Sequence, residues 1–294
     1  MADFWRALQT TPFLQYALLT GLLASVACGV VGTYVVVRRI TYIAGGIAHS
    51  VLGGIGAAMY VSRAAGWEWL HPLYGATAAA LVAAGIIGVA SLRLREREDT
   101  VISALWAVGM AGGVVFIALM PGYQQDLMSY LFGDILMVGR TQLWMLAGLD
   151  AVVVGVAAIF FRQLQAVCFD EEFARTRGLA VDAYYLLLLA LIALTVVLLV
   201  TVVGIVLTIA LLTLPVAVAG QFARRMGTVM IAAAVLCGVL TTGGLALSYA
   251  PDLPAGPVTI LLAGGLYLLV LLGRRIVRRR PAVSGEGPTP DGDS

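Results

Sequence analysis

The sequence predicts an all-α membrane protein, a polytopic bundle of about eight or nine transmembrane helices. Of the 294 residues, 61% are hydrophobic and 12% are charged, whereas a soluble globular domain has roughly 45–50% apolar and about 25% charged residues. Apolar windows of about 20 residues, the length that a membrane-spanning helix needs, recur from Thr11 to Leu272. These windows are continuous rather than alternating, which indicates helices and not the strands of a barrel.

The predicted spans follow one another along almost the whole chain. The stretch from Tyr184 to Gln221 is too long for one span, so we predict a tight hairpin near Val202–Gly204. A single long tilted helix in that stretch would leave eight spans instead of nine. The nine predicted spans are residues 12–37, 42–62, 72–91, 101–120, 141–161, 184–202, 203–222, 228–249 and 256–273.

The positions of the arginines predict the orientation of the bundle. Arginine-rich loops stay in the cytoplasm, and with nine spans all five arginine clusters fall on the same side. The loops on the other side, residues 62–71, 120–125 and 250–255, contain a single arginine, Arg63. We therefore expect a multi-pass protein of the plasma (inner) membrane with a cytoplasmic C-terminus. The clusters are Arg38–Arg39, Arg93–Arg97, Arg162–Arg177, Arg224–Arg225 and Arg274–Arg280.

The chain is expected to form one domain, and it contains no lysine. Residues 1–280 form the helical domain, whereas residues 281–294 are rich in Pro, Gly, Ser and Asp and are expected to be a disordered cytoplasmic tail. All 18 basic residues are arginine. A phosphate-binding loop needs a lysine on the nucleotide phosphates, so any ATP hydrolysis that powers this protein must reside on a separate polypeptide.

One span carries a histidine among small residues. Gly45, His49 and Gly53 recur every four residues and share one helix face, with Ser50 in the adjacent row. The groove beside the imidazole can admit another helix or a solute. Ionisable groups inside membranes are functional candidates, and neutral imidazole is the commonest metal ligand, so His49 is a candidate metal ligand. The alternative is a histidine that forms a hydrogen bond between two helices.

Two aspartates are further candidates for a transport path. Asp134 lies in the segment SYLFGDIL, which predicts either an interfacial helix or a re-entrant segment, a conformation that membranes tolerate only inside protein or along a water-filled cavity. Asp150 lies in mid-span, where an unpaired charge costs on the order of 2.5–3.5 kcal/mol. Its carboxyl group is therefore expected to be paired, protonated or exposed to water.

The longest polar loop inside the chain reads FDEEFARTRG and ends at Gly178. Phe169 and Phe173 are four residues apart, so a short helix would carry an apolar ridge beside the charges of Asp170 and Glu171. A membrane subunit that is driven by an external ATPase needs such a projecting element to receive its motion. The alternative is a surface helix at the level of the lipid headgroups.

Six segments together resemble one family, the membrane permeases of ABC importers for zinc, manganese and ferrous iron. Small-residue membrane segments recur widely, so each segment is a weak signal alone, but all six occur in the family order between about Leu14 and Leu272. The segments read VVGTYVVVRRITYIAGGIAHSVLGGIG, REDTVISALWA, DLMSYLFGDIL, FDEEFARTRGL, VVGIVLTIALLTLPVAVA and LPAGPVTILLAGG.

The resemblance implies a fold like that of type II ABC importers and a role as a permease for a divalent transition-metal ion. Such a permease is not an enzyme, holds no covalently bound cofactor and binds no nucleic acid. It works in the lipid bilayer as a pair, usually two copies of one chain, with two cytoplasmic ATPase subunits and an extracytoplasmic metal-binding protein. By the same resemblance, the helix that carries His49 lines the metal path, and the loop from Phe169 to Gly178 docks on the ATPase.

The chain departs from many family members at the expected metal site. Those members have an aspartate four residues before the histidine, whereas this chain and another branch of the family have a glycine, here Gly45. One His49 from each of two chains supplies only two nitrogens, and zinc sites usually take three or four protein ligands. Either Asp134, Asp150 or a carbonyl completes the set, or binding is weak, which suits an ion that must leave again. The sequence does not identify the metal, because the affinities of divalent metals overlap.

Three other classes of membrane protein fit the sequence less well. A permease for a siderophore or cobalamin shares the overall plan, but the segments FDEEFARTRG and SYLFGDIL favour the metal class. An ion-driven secondary transporter would carry paired carboxylates or broken helices in matching halves, and the sequence has no internal repeat. An intramembrane enzyme would need a catalytic motif such as HExxH or GxSxG, which the sequence lacks.

Overall fold

The computed structural model describes residues 2–67, 69–93, 97–120, 131–133 and 138–278. These residues form helices and their connections, without any strand, and nine of the helices (α2–α6 and α9–α12) are long and apolar enough to cross a membrane. The predicted all-α class and the nine-span count are therefore confirmed. The helices are α1 Ala2–Thr10, α2 Pro12–Val37, α3 Thr41–Ala64, α4 Pro72–Arg93, α5 Glu98–Ala118, α6 Arg140–Ile159, α7 Phe161–Phe169, α8 Glu171–Thr176, α9 Val181–Val203, α10 Ile205–Phe222, α11 Met226–Tyr249 and α12 Ala255–Arg278.

The predicted hairpin between the sixth and seventh spans is confirmed, and Gly204 is its turning point. Gly204 is the single residue between α9 and α10 and has a φ of +80°. Glycine adopts this left-handed backbone without the steric cost that other residues have. The turn keeps its backbone groups paired, because the Gly204 amide donates to the Val200 carbonyl (3.2 Å) and the Thr208 hydroxyl donates to the Gly204 carbonyl (2.6 Å).

A second positive-φ glycine packs directly against this turn. Gly133 has a φ of +71°, and a Cβ atom on it would lie 2.2 Å from the carbonyl carbon of Val203. A Cβ on Gly256, at the start of α12, would lie 2.5 Å from the carbonyl oxygen of Phe132. Residues 131–133 therefore contact both the α9–α10 turn and α12 backbone to backbone. The rest of the predicted re-entrant segment, including Asp134, lies outside the described residues.

The helices differ in how far the bundle encloses them. In the most apolar 18-residue window of α2, 67% of the window is buried inside the bundle, and the share is 72% for both α3 and α9. The corresponding figures for α5, α6 and α12 are 17%, 22% and 17%. Helices α2, α3 and α9 are therefore the centre of the single chain, and the other three present apolar faces outward, as lipid-facing or partner-facing helices do.

Glycines bring α3 and α5 into close contact. A Cβ on Gly53 would lie 2.8 Å from the carbonyl oxygen of Gly109, and one on Gly56 would lie 2.9 Å from that of Gly113. Small residues allow two membrane helices to approach until their backbones touch. This contact fixes the position of α5 on the helix that carries His49.

Three of the predicted arginine clusters meet at one end of the bundle, which we call the arginine-rich end. A pocket of about 520 Å³ lies there, and Arg38, Glu98 and Arg175 line it. The ends of α2 and α4 and the starts of α5 and α9 therefore lie on the same side, as the nine-span topology requires. The predicted tail, residues 281–294, lies outside the described residues.

Candidate ion path and coupling segment

His49 is enclosed between α3 and α5. Its side chain is 7% exposed, and its ring is stacked on that of Trp106, with centroids 4.2 Å apart and planes 19° apart. The Nδ1 atom is buried and has no hydrogen-bond partner among the described residues. Stacking on Trp106, rather than a hydrogen bond through Nδ1, therefore holds the imidazole at this helix contact.

The groove beside Gly45 is filled by the same indole. A Cβ on Gly45 would lie 2.8 Å from Cζ3 of Trp106. The ring of Tyr42 lies 5.8 Å from that of Trp106, and the Tyr42 hydroxyl shares a hydrogen bond of 2.5 Å with the Ser103 hydroxyl. Of the two occupants that the sequence allows for this groove, a helix or a solute, the single chain places a helix there.

The remaining path candidates on α3 lie in the same contact. The Ser50 hydroxyl donates to the Gly46 carbonyl at 2.9 Å, a bond within the helix. A Cβ on Gly109 would lie 2.6 Å from Cα of Ser50, and Gly53 faces the same glycine. The structure thus brings Gly45, His49, Ser50 and Gly53 together along one line of contact with α5.

Asp150 lies in a different part of the bundle. It is on α6, is 6% exposed, and its Oδ1 atom is buried without a hydrogen-bond partner among the described residues. Its carboxyl group lies beside the backbone of Ala27 on α2. In the described ranges no three His, Cys, Asp or Glu residues come together as a metal-binding group. The structure therefore does not assemble His49 and Asp150 into a three-ligand set within one chain.

The polar loop FDEEFARTRG forms a short helix, α8, of six residues. Asp170 is extended and caps this helix, because its Oδ1 accepts a hydrogen bond of 2.9 Å from the Phe173 amide. Gly178 ends the turn with a φ of +78°, and its amide donates to the Arg175 carbonyl at 3.0 Å. Both boundaries of α8 are thus set by residues with the chemistry that helix ends prefer.

Phe169 and Phe173 are both exposed, at 63% and 54%, but they do not form a ridge on one helix. Phe169 is the last residue of α7, and the extended backbone of Asp170 separates it from α8. The expected spacing of a continuous helix is therefore wrong. The two rings project from neighbouring helices, while Ala174 on the other face of α8 is buried against Val167 and Val181.

Arg38 joins this segment to the centre of the bundle. Its guanidinium donates to the Val167 carbonyl at 2.8 Å, forms an ion pair with Glu171, and lies 4.4 Å from the centre of the Tyr185 ring. A second ion pair, Arg175–Asp182, joins α8 to the start of α9. The sequence identified Arg38 only as a marker of topology, and no sequence signal separates it from exposed Arg39.

Comparisons with known proteins cover both candidate regions. The model of the ABC 3 transport family matches residues 10–274. The chain is 40% identical over 264 residues to the "Probable metal transport system membrane protein" of Chlamydia trachomatis, covering 90% of each chain. It is 32% identical over 267 residues to the manganese transport system membrane protein MntC of Halalkalibacterium halodurans, covering 90% of this chain and 89% of that one. The solved structure of PsaBC from Streptococcus pneumoniae in complex with Fab has a TM-score of 0.81 and 30% identity, covering 92% of this chain and 95% of that chain.

Proposed function

The chain belongs to the ABC 3 transport family and is a membrane permease of the metal type, and from that premise we propose that it carries a divalent transition-metal ion into the cytoplasm. The family match over residues 10–274 supports this function most directly. It also favours ATP-driven import over an ion-driven secondary transporter, which was an alternative on sequence alone.

The identity of the ion is the next question. MntC of Halalkalibacterium halodurans is named for manganese transport, which makes Mn²⁺ the first candidate. The imidazole of His49 suits zinc and iron better than manganese, which prefers carboxylate and carbonyl oxygens. Uptake of Mn²⁺, Zn²⁺ and Fe²⁺ must therefore be compared directly.

We propose that two copies of the chain form the path and that each contributes His49. The described residues of one chain hold no three-ligand group, so we propose that the second copy, Asp134 or backbone carbonyls supply the remaining ligands. Such a site binds an ion briefly, which transport requires, because an ion that is held too tightly cannot leave.

The energy for transport comes from ATPase subunits on other polypeptides. We propose that they bind at the arginine-rich end, which positive loops assign to the cytoplasm, and that α8 with Phe169 and Phe173 is their docking segment. An extracytoplasmic metal-binding protein would deliver the ion at the opposite end. The C-terminus, which follows α12, is then cytoplasmic, and the membrane is the plasma membrane.

Metal uptake by the complete transporter tests this proposal. The permease is reconstituted into liposomes with its ATPase and its delivery protein, and uptake of the three ions is measured with the wild-type chain, His49→Ala and His71→Ala. His71, the second histidine of the chain, lies in the connection before α4 and is the matched control. We expect His49→Ala alone to abolish uptake while assembly and basal ATP hydrolysis persist. Wild-type uptake by His49→Ala would refute the role of His49, and no uptake of any metal by the wild type would refute the function.

A further inference from the structure

Among the residues that the structure describes, Trp106 is the aromatic residue that stacks on the proposed ligand, and no sequence signal singled it out. Its indole covers one face of the His49 ring, with centroids 4.2 Å apart and planes 19° apart. A histidine that binds a metal is usually oriented by a hydrogen bond from its other nitrogen. In the part of the chain that the structure describes, Nδ1 of His49 has no such partner. The plane of the imidazole is therefore set by the stack.

The indole is itself confined by two other residues of α3, Gly45 and Tyr42. Gly45 leaves the space for it, since a Cβ atom there would lie 2.8 Å from Cζ3 and 3.3 Å from Cη2 of Trp106. The Tyr42 ring lies 5.8 Å from the Trp106 ring, and its hydroxyl shares a hydrogen bond of 2.5 Å with the Ser103 hydroxyl on α5. A methyl group at position 45 is enough to force the indole to move, and the far end of an indole can move by rotation of its side chain.

We propose that Trp106 is a positioning residue of the ion path. It occupies the groove at Gly45, stacks on His49 and sets the plane in which the imidazole nitrogens meet the ion. This inference rests on the proposed function, in which His49 contacts the metal. An aromatic pair of this kind favours one ring orientation by roughly two- to tenfold, so its loss should weaken ion binding by a similar factor and leave ATP hydrolysis unaffected.

Two substitutions on different helices should therefore have the same effect. Gly45→Ala displaces the indole and Trp106→Ala removes it, so each should raise the KM for metal uptake roughly two- to tenfold with little change in kcat. Because both act through one contact, the double variant should be no worse than either single variant. Trp106→Phe, which keeps a ring, should restore most of the affinity. Gly112→Ala is the control on α5, because a Cβ there meets nothing within 4 Å.

Fluorescence separates this inference from the proposed function. The other four tryptophans are exposed and are replaced by Phe, so that Trp106 is the sole tryptophan of the chain. They are Trp5, Trp67, Trp69 and Trp144. In the assembled transporter, Zn²⁺ should change the emission of Trp106, and His49→Ala should abolish that change. If the wild-type complex takes up Zn²⁺ but Zn²⁺ leaves the emission unchanged, Trp106 does not position His49 and the proposed function stands. The same conclusion follows if the effects of Gly45→Ala and Trp106→Ala on KM add. If the wild-type complex takes up no metal, the proposed function fails. Without metal, equal Trp106 emission in His49→Ala and in the chain that keeps His49 would refute the stack itself.

Discussion

Arg38 and Glu171, which are 133 residues apart in the chain, form an ion pair that joins the end of α2 to the start of α8. The Arg38 side chain is 13% exposed and Glu171 is 45% exposed, so the pair lies at the edge of the arginine-rich end. Only the turn at Arg39 and Ile40 separates Arg38 from α3, the helix of His49. A displacement of α8 would therefore have one side chain and one turn through which to move α3.

Arg38→Ala should uncouple transport from hydrolysis. The substitution removes both the ion pair and the hydrogen bond to the Val167 carbonyl, so α8 loses its tie to α2. We expect the number of metal ions transported per ATP to fall several-fold while the complex still assembles. Arg39→Gly is the matched control, because it removes the neighbouring charge and suits the φ of +62° at that position. If the two variants transport the same number of metal ions per ATP, the Arg38 contacts do not couple transport to hydrolysis.

Phe173→Asp should prevent productive docking of the ATPase. Its ring is 54% exposed on α8, and a carboxylate there would place a charge in an interface that an aromatic group fills. Insertion of the permease into the membrane should be unaffected. The measurement is ATP hydrolysis stimulated by the delivery protein in the assembled transporter. Phe222→Asp, at an exposed phenylalanine at the end of α10, serves as the control. Unchanged stimulated hydrolysis in Phe173→Asp would identify α8 as an ordinary surface helix.

Gly204→Ala should destabilise the fold strongly. Gly204 combines a φ of +80° with a ψ of 169°, a conformation that costs a non-glycine residue about 1–3 kcal/mol, and the new Cβ would lie 2.3 Å from the amide nitrogen of Gly133. We expect a total loss of at least about 2 kcal/mol, measured as a lower melting temperature in detergent. Gly220→Ala on α10, where a Cβ has nothing within 4 Å, should have little effect. A similar melting temperature for both variants would contradict the close backbone contact.

Cys168 should react slowly with maleimide near neutral pH. Burial raises the pKa of its thiol from 9.0 to about 11, against a smaller lowering effect of Arg38. Since the thiolate is the reactive species, labelling at pH 7 should be roughly 100-fold slower than for an ordinary thiol, and the rate should rise about tenfold per pH unit. A cysteine introduced by Glu172→Cys on the exposed face of α8 is the reference, in a background in which Cys168 is replaced by Ser. Equal labelling rates at pH 7 would contradict the raised pKa of the half-buried Cys168 thiol.

The purified chain should hydrolyse no ATP. It contains no lysine, and a phosphate-binding loop needs one on the nucleotide phosphates. The measurement is phosphate release by the permease alone and after its ATPase is added, at equal protein concentration. Release by the permease alone that survives further purification would be incompatible with a purely transport role.

The spans and the turn between α9 and α10 could be predicted because they depend on the lengths of the apolar stretches and on the position of one glycine. The stretch around Gly204 is too long for one span, and a glycine at its centre marks the turn that α9 and α10 make. The break before α8 also had a signal that was missed. Asp170 has the side chain that helix starts favour, and its bond to the Phe173 amide begins a new helix, so Phe169 belongs to the previous one.

The candidate site was predicted less completely, because it depends on contacts between distant segments. Periodicity on α3 placed Gly45, His49 and Gly53 on one face, and the structure has that face against α5. No local pattern gives the register between two membrane helices, so the partner of that face, Trp106, could not be found from the sequence. Arg38 and Arg39 are likewise identical in type, and only the packing of α7 and α8 distinguishes them.

The contact between Gly45 and Trp106 also restricts the order in which substitutions can accumulate at this place. A side chain at position 45 meets an indole that is already there, so a carboxylate cannot be gained in one step without displacing the ring from His49. Replacement of Trp106 by a smaller residue before that change, or together with it, would avoid the displacement. Lineages that hold a side chain at position 45 should therefore either lack a large ring at position 106 or have that ring turned away from the histidine.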